Sequence, residues 1–282
     1  MSIVTGTKIN QLLASTDSSG LLFSKWLKRQ GYSDQLQKRY RDSGWLSSLS
    51  QGVMYRTGST LSAFAALASC NKQTGAHMRL AAHSALEYAG FNHYVPMGKP
   101  VLAVCLDTSA KRPSWMKDEC FDVIFRPFHT NAFKVTETIE EDAKGGILYI
   151  SSPEQAFLEC LLLAPKYYDY TDLYYIMEQL TTLRSDVVQR LLENTGSYGV
   201  KRMFLYMAEK AGHYWLDELN PSRIELGTSK LQLVPGGVYI SKYKITIPQS
   251  LNSYEGNPVK FEQGVNNLRR YLLDSTIGKT NG

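Results

Sequence analysis

Apolar positions recur at helical spacing in three short runs at the start of the chain, and each run is closed by a polar or glycine-containing break. Ile9, Leu12 and Leu13 predict a first helix within Thr5 to Ser15, ended by the polar run Thr16 to Gly20. Leu21 to Gln30 predicts a second, started near Ser24, with Trp26 and Leu27 inward and Lys25, Lys28 and Arg29 outward. Gly31 suits a left-handed C-terminal position, and Ser33 is a good N-cap for a third helix from about Asp34 to Asp42. There Leu36 and Tyr40 share one face, while Gln35, Lys38, Arg39 and Arg41 project elsewhere. Gly44 ends it. Trp45-Leu46 and Val53 to Arg56 then predict two short strands around a polar tip, Ser47 to Gly52. Helix, helix, turn, helix and hairpin is the order of a winged helix-turn-helix.

The pattern then changes. Leu61 to Cys70 and Ala76 to Ala89 predict two more helices, the second lined by Leu80, Ala81, Ser84, Ala85 and Tyr88. Pro96, Gly98 and Pro100 break the chain, which places a domain boundary near Asn92 to Pro100. Val101 to Leu106, Phe121 to Phe125 and Ile147 to Ile150 are apolar runs of strand length, whereas Glu137 to Gly146 is charge-rich and predicts a loop. Ser152-Pro153-Glu154-Gln155 combines an N-cap serine, proline in the first turn and a glutamine three residues after the cap, so a buried helix should follow. Tyr174 to Leu183, Val187 to Leu192 and Val200 to Ala211 carry further amphipathic stripes. Leu231 to Val234 and Val238 to Ile240 predict a hairpin across Pro235-Gly236-Gly237, with Tyr243 to Ile247 as a third strand and Val265 to Leu273 as a final helix. The expected fold is α+β: an N-terminal winged helix-turn-helix over residues 1–95, then a larger mixed α/β C-terminal domain over 96–282.

Charge sharpens this picture. Residues 1–60 hold Lys8, Lys25, Lys28, Arg29, Lys38, Arg39, Arg41 and Arg56 against Asp17, Asp34 and Asp42, a net +5, which equals the excess of the whole chain. All of the surplus positive charge sits on the predicted winged helix, the electrostatic footprint of a polyanion partner. The candidate DNA-contacting residues are Lys25, Lys28, Arg29 and Ser33 around the turn, Gln35, Lys38, Arg39 and Arg41 on the third helix, and Gln51 and Arg56 on the wing.

The rest of the chain offers little chemistry. It has no phosphate-cradling glycine loop and no nucleophile elbow, Gly145-Gly146 predicts a turn, and its five histidines lack metal-ligand spacing, so surface or helix positions are expected for them. Asp122 with Asp142 and Lys144 loosely resembles the carboxylate pairing of a metal-dependent nuclease, but a loop at 137–146 would not hold it. Tyr167, Tyr168, Tyr170, Tyr174 and Tyr175 cluster beside Asp169 and Asp172, which favours packing over base stacking. Cys70, Cys105, Cys120 and Cys160 predict reduced core cysteines of a cytoplasmic protein. No secretory signal or transmembrane run is expected.

The layout resembles the AbiEi-type antitoxins, transcription-regulating partners in abortive-infection type IV toxin–antitoxin systems. The resemblance rests on the winged-helix start, on Gly52-Val53-Met54-Tyr55-Arg56, on the run from Ala81 to Gly90 and on Ser152-Pro153-Glu154-Gln155-Ala156-Phe157-Leu158-Glu159. It spans roughly residues 5–250. It implies a non-enzymatic repressor that binds inverted repeats in its own promoter, without a cofactor. It also implies a C-terminal domain that counters a nucleotidyltransferase-like toxin, often without a stable complex, and no membrane partner. A winged-helix nuclease and a winged-helix interaction adaptor are the alternatives.

Overall fold

A computed structural model describes residues 7–91, 98–143 and 145–254. The 92–97 part of the expected boundary and the expected helix at 265–273 lie outside the described residues. The chain forms two compact units, each assembled from separate stretches. One takes in the described residues up to Leu80, those from 98 to His129, and Ile139–Ile150. The other takes in those from Ala81 to 91, Thr130–Thr138 and those from Ser151 onward.

The first unit begins with α1 (Lys8–Ser15), β1 (Leu22–Phe23), α2 (Ser24–Arg29), α3 (Asp34–Asp42), β2 (Leu46–Ser50) and β3 (Val53–Arg56). Helix α3 keeps the predicted bounds because both ends are specified: the Ser33 hydroxyl accepts from the Leu36 N–H at 3.3 Å, and Gly44 takes φ +75°. Leu21 to Phe23, expected within a helix, instead leaves β1 as a third strand antiparallel to β3, in the order β1-β3-β2. The hairpin is longer than expected. Its turn is Gln51-Gly52, with Gly52 at φ +73°, and a bulge lies between Ser48 and Ser50. Ile9, Leu12, Leu22, Leu27, Tyr32, Tyr40, Leu46 and Met54 form its buried core, with Trp26 and Leu36 packed at the margin.

Helix α4 (Ala63–Thr74) is buried around most of its circumference. Its few polar side chains hold backbone that no strand pairs. Ser69 accepts from Leu21 N–H, and Gln73 accepts from Phe23 N–H at 2.9 Å while donating to Leu21 C=O at 2.7 Å, so the two cover the open edge of β1. Asn71 bonds both the N–H and the C=O of Met78. Just beyond lies β4 (Arg79–Leu80), expected to be helical. It occupies the centre of a five-stranded sheet with β5 (Val101–Leu106), β6 (Ile124–His129), β7 (Thr138–Ala143) and β8 (Gly146–Ser151), ordered β6-β5-β4-β8-β7. β4 runs antiparallel to β5 and parallel to β8. The expected boundary therefore separates the central strand from its neighbours. Phe121 is not in a strand; it packs in an aromatic cluster with Trp115 and Phe125, and β6 starts only at Ile124. β7 replaces the expected loop, an edge strand with five of its six residues exposed. At the turn into β8, Gly146 has φ +151°, and a Cβ there would lie 2.9 Å from the Ala68 carbonyl oxygen on α4.

The second unit is largely helical, with α5 (Ala82–Tyr88), α6 (Pro153–Leu163), α7 (Tyr170–Gln179), α8 (Ser185–Glu193) and α9 (Tyr198–Ala211). The Ser-Pro-Glu-Gln start behaves as predicted, Ser152 capping α6 through Gln155 N–H. Glu159, fully buried, accepts from Ser151 Oγ and Gln155 Nε2 at 3.1 Å and from Ala82 N–H at 2.9 Å, where it caps α5. Burial by itself would raise the Glu154 carboxyl, but the Arg184 guanidinium, bonded to both its oxygens at 3.0 Å, holds it below the usual range. β9 (Leu231–Gln232), β10 (Val238–Ile240) and β11 (Ile245–Ile247) form a small sheet ordered β10-β11-β9. The hairpin is β10–β11, and β9 joins it parallel to β11 rather than pairing with β10 as expected. Among the described residues no helix is long and apolar enough to cross a membrane.

Candidate nucleic-acid interface

The turn between α2 and α3 is held by one buried side chain that sequence periodicity does not single out. Gln37, 1% exposed, accepts from Ser24 Oγ at 2.7 Å through Oε1, and its amide donates to Tyr32 C=O at 2.8 Å and Ser24 C=O at 3.3 Å. Ser24 N–H in turn donates to Gly52 C=O at 2.9 Å. One amide thus links both ends of α2 to the middle of α3. Its inward heading follows from its place three residues before Tyr40; its pairing with a serine thirteen residues upstream has no local signal. Tyr40 and Tyr32 stack at a tilt, 6.5 Å between centroids, and burial raises the phenol pKa of each.

With its inner face packed, α3 presents its other face to solvent. Gln35, Lys38 and Arg39 are exposed and line a shallow open groove with Asp42 and Ser43. Lys38 and Arg39 make no side-chain hydrogen bond or ion pair among the described residues. The other candidates divide by what they touch. Lys25, Gln51 and Arg56 are exposed. Lys28 pairs with Asp34 at 2.6 Å, and Arg29 donates to the Gln73 carbonyl at 2.6 Å, which commits both to the fold. Arg41 leans on the Met54 sulfur at 3.1 Å, and Ser33 serves as the cap. The structure gathers Gln35, Lys38 and Arg39 on one exposed helix face and leaves Arg29 and Lys28 tied to their neighbours.

Other candidate chemistry disperses. Asp122 lies in a bend before β6 and Asp142 on β7, at opposite edges of the five-stranded sheet. Among the described residues no three histidine, cysteine or acidic side chains gather as a metal site would need. Two expectations are corrected. Cys120 is exposed, in a turn held by Asp118, rather than in the core. His213 is buried, stacked on Trp215 and bonded to Met177 C=O, and desolvation lowers its pKa. Of the clustered tyrosines, Tyr170 and Tyr174 are core residues, as packing requires.

Residues 5–97 match the family model described as the N-terminal domain of the AbiEi antitoxin transcriptional regulator, and residues 99–248 match that of the AbiEi antitoxin transcriptional regulator of type IV toxin–antitoxin systems. The crystal structure of the RV2827C protein from Mycobacterium tuberculosis is similar in fold, with a TM-score of 0.57 at 15% identity over 85% of this chain and 89% of that one. No curated protein matches the chain.

Proposed function

Because the chain belongs to the AbiEi family of transcriptional regulators, antitoxins of type IV toxin–antitoxin systems, we propose that it represses its own operon by binding inverted repeats in the promoter. In this reading α3 enters the major groove, Gln35, Lys38 and Arg39 reach base edges or phosphates, and Lys25, Gln51 and Arg56 contact the flanking backbone. The observation that carries it is the exposed face of α3, where two cations without a side-chain partner among the described residues stand beside a glutamine on a helix fixed from behind by Gln37. The rest of the chain counters a nucleotidyltransferase-like toxin encoded beside it, without requiring a stable complex. Neither role calls for catalysis, and the protein acts in the cytoplasm.

The test uses the full-length chain. Lys38→Ala with Arg39→Ala should abolish promoter binding in a shift assay, a base-reading arginine alone being worth about 1–3 kcal/mol of discrimination. Cells co-expressing that variant with the adjacent toxin gene should still grow, because neutralisation does not pass through α3. Normal operator affinity would show that another element reads the DNA, and loss of protection would show that the two roles share one surface.

A further inference from the structure

The first unit contains a cavity of about 270 Å3 whose walls come from both family-matched segments. Phe23 on β1, Val53 on β3 and Cys70 on α4 belong to the N-terminal segment, and Leu106 at the end of β5 and Trp115 belong to the other. The lining is largely apolar. Since an apolar cavity of roughly 150 Å3 holds a benzene ring, this one has room for a ring with a short substituent. Asp107 and Lys111, exposed and of opposite sign, also line it, so its opening favours no net charge.

One demand of this wall is unmet. Trp115 is 1% exposed, and its indole N–H is buried with no hydrogen-bond partner among the described residues. Cys70 lies near it, but burial pushes that thiol up to about 11 against a smaller lowering by Thr74 and the indole, so the sulfur is uncharged and a weak acceptor. The Thr74 hydroxyl is already spent on the Cys70 carbonyl, at 2.7 Å. A stranded donor in an apolar cavity calls for an acceptor on a molecule that fills it. The same walls touch the wing. Phe23 and Val53 are the residues paired where β1 joins β3. Trp115 sits in a single 3-10 turn, Ser114–Lys117, whose Ser114 hydroxyl donates to the Ser50 hydroxyl at 3.0 Å, next to the Gln51-Gly52 turn. We propose that this cavity binds a small, uncharged aromatic molecule carrying one hydrogen-bond acceptor, and that filling it weakens promoter binding by shifting the wing. The acceptor draws the indole toward it, and Ser114 passes that shift to Ser50. The coupling to promoter binding rests on the DNA-binding reading above, whereas the site itself does not.

The probe is acetophenone, and its counterpart is cumene, which has a methyl group in place of the carbonyl oxygen. Binding to the isotope-labelled full-length chain is followed by NMR, with the Trp115 indole signal identified by its absence from Trp115→Phe. Acetophenone should move that signal saturably. Cumene should bind about three- to tenfold more weakly, as the loss of one hydrogen bond requires, and Trp115→Phe should bring acetophenone down to the affinity of cumene. Ala110→Leu, which fills the cavity from its lining, should abolish binding of both probes. Saturating acetophenone should lower the promoter affinity of the wild-type chain about fivefold or more and leave that of Ala110→Leu unchanged. An indole signal that stays still, or equal affinity for the two probes, overturns the site. Saturable binding with unchanged promoter affinity overturns the coupling. A chain that binds no promoter while its Trp115 signal still responds supports the site and overturns the DNA-binding reading instead.

Discussion

Glu87 shows what burial does to a single charge. It lies on α5, 4% exposed, with Oε1 lacking a hydrogen-bond partner among the described residues, and desolvation pushes its carboxyl up to about 7. A carboxyl whose folded pKa lies above its unfolded value favours the folded state most below the unfolded pKa. That advantage is lost as pH rises toward about 7. Glu87→Gln should therefore raise the melting temperature at pH 8 and flatten its fall between pH 5 and pH 7, about the window between ordinary and shifted values. A titration of melting temperature against pH for both proteins checks this; parallel curves would place the carboxyl in contact with water. Gln37 is the opposite case, a buried polar group with both ends satisfied. Gln37→Leu strands the Tyr32 carbonyl and the Ser24 hydroxyl, and should cost about 1–3 kcal/mol in denaturant unfolding. It should also weaken operator binding, because α3 loses its link to α2.

At the scale of elements, the ones legible in the sequence are those that specify their own ends. Helix α3 has Ser33 before it and Gly44 after it, α6 has its Ser-Pro-Glu-Gln start, and α9 ends at Gly212 in the left-handed region, so each is readable from within its own residues. β1 and β4 are two residues long and show no period; β1 is a strand because β3 pairs with it and Gln73 and Ser69, about fifty residues away, cover its other edge, and β4 because β5 and β8 flank it. β7 escaped for another reason: an edge strand exposed along nearly its whole length has no buried row to alternate with, and Glu140, Glu141 and Asp142 read as a loop. The candidate site was half legible. Exposure of Lys38 and Arg39 follows from helical phase, whereas the engagement of Lys28 and Arg29 depends on the tertiary fold. The β7–β8 turn offers an element-scale test. Gly146→Ala would drive a methyl onto the Ala68 carbonyl, and should lower stability by about 1–3 kcal/mol in chemical denaturation. Gly236→Ala, where an added Cβ meets no atom within 4 Å, is the control for left-handed strain alone.

For the whole molecule, the two-residue strand β4 governs where the chain can be cut. A fragment starting at Val101 keeps β5, β6, β7 and β8 but leaves β5 and β8 on either side of an empty lane of backbone donors and acceptors. That fragment should aggregate or lose strand signal in circular dichroism, whereas a cut before Ala63 should leave the sheet paired. The same arrangement sets an order of events during synthesis. Residues 8–74 hold the winged head and α4, and the head can pack once those residues have left the ribosome. Leu80 must wait for Ile150, about seventy residues later, a delay of about 4–14 s at ordinary translation rates. For those seconds the head is folded and β4 has no partner on its β8 side, so the nascent protein can present a finished α3 face before the unit that carries it has closed.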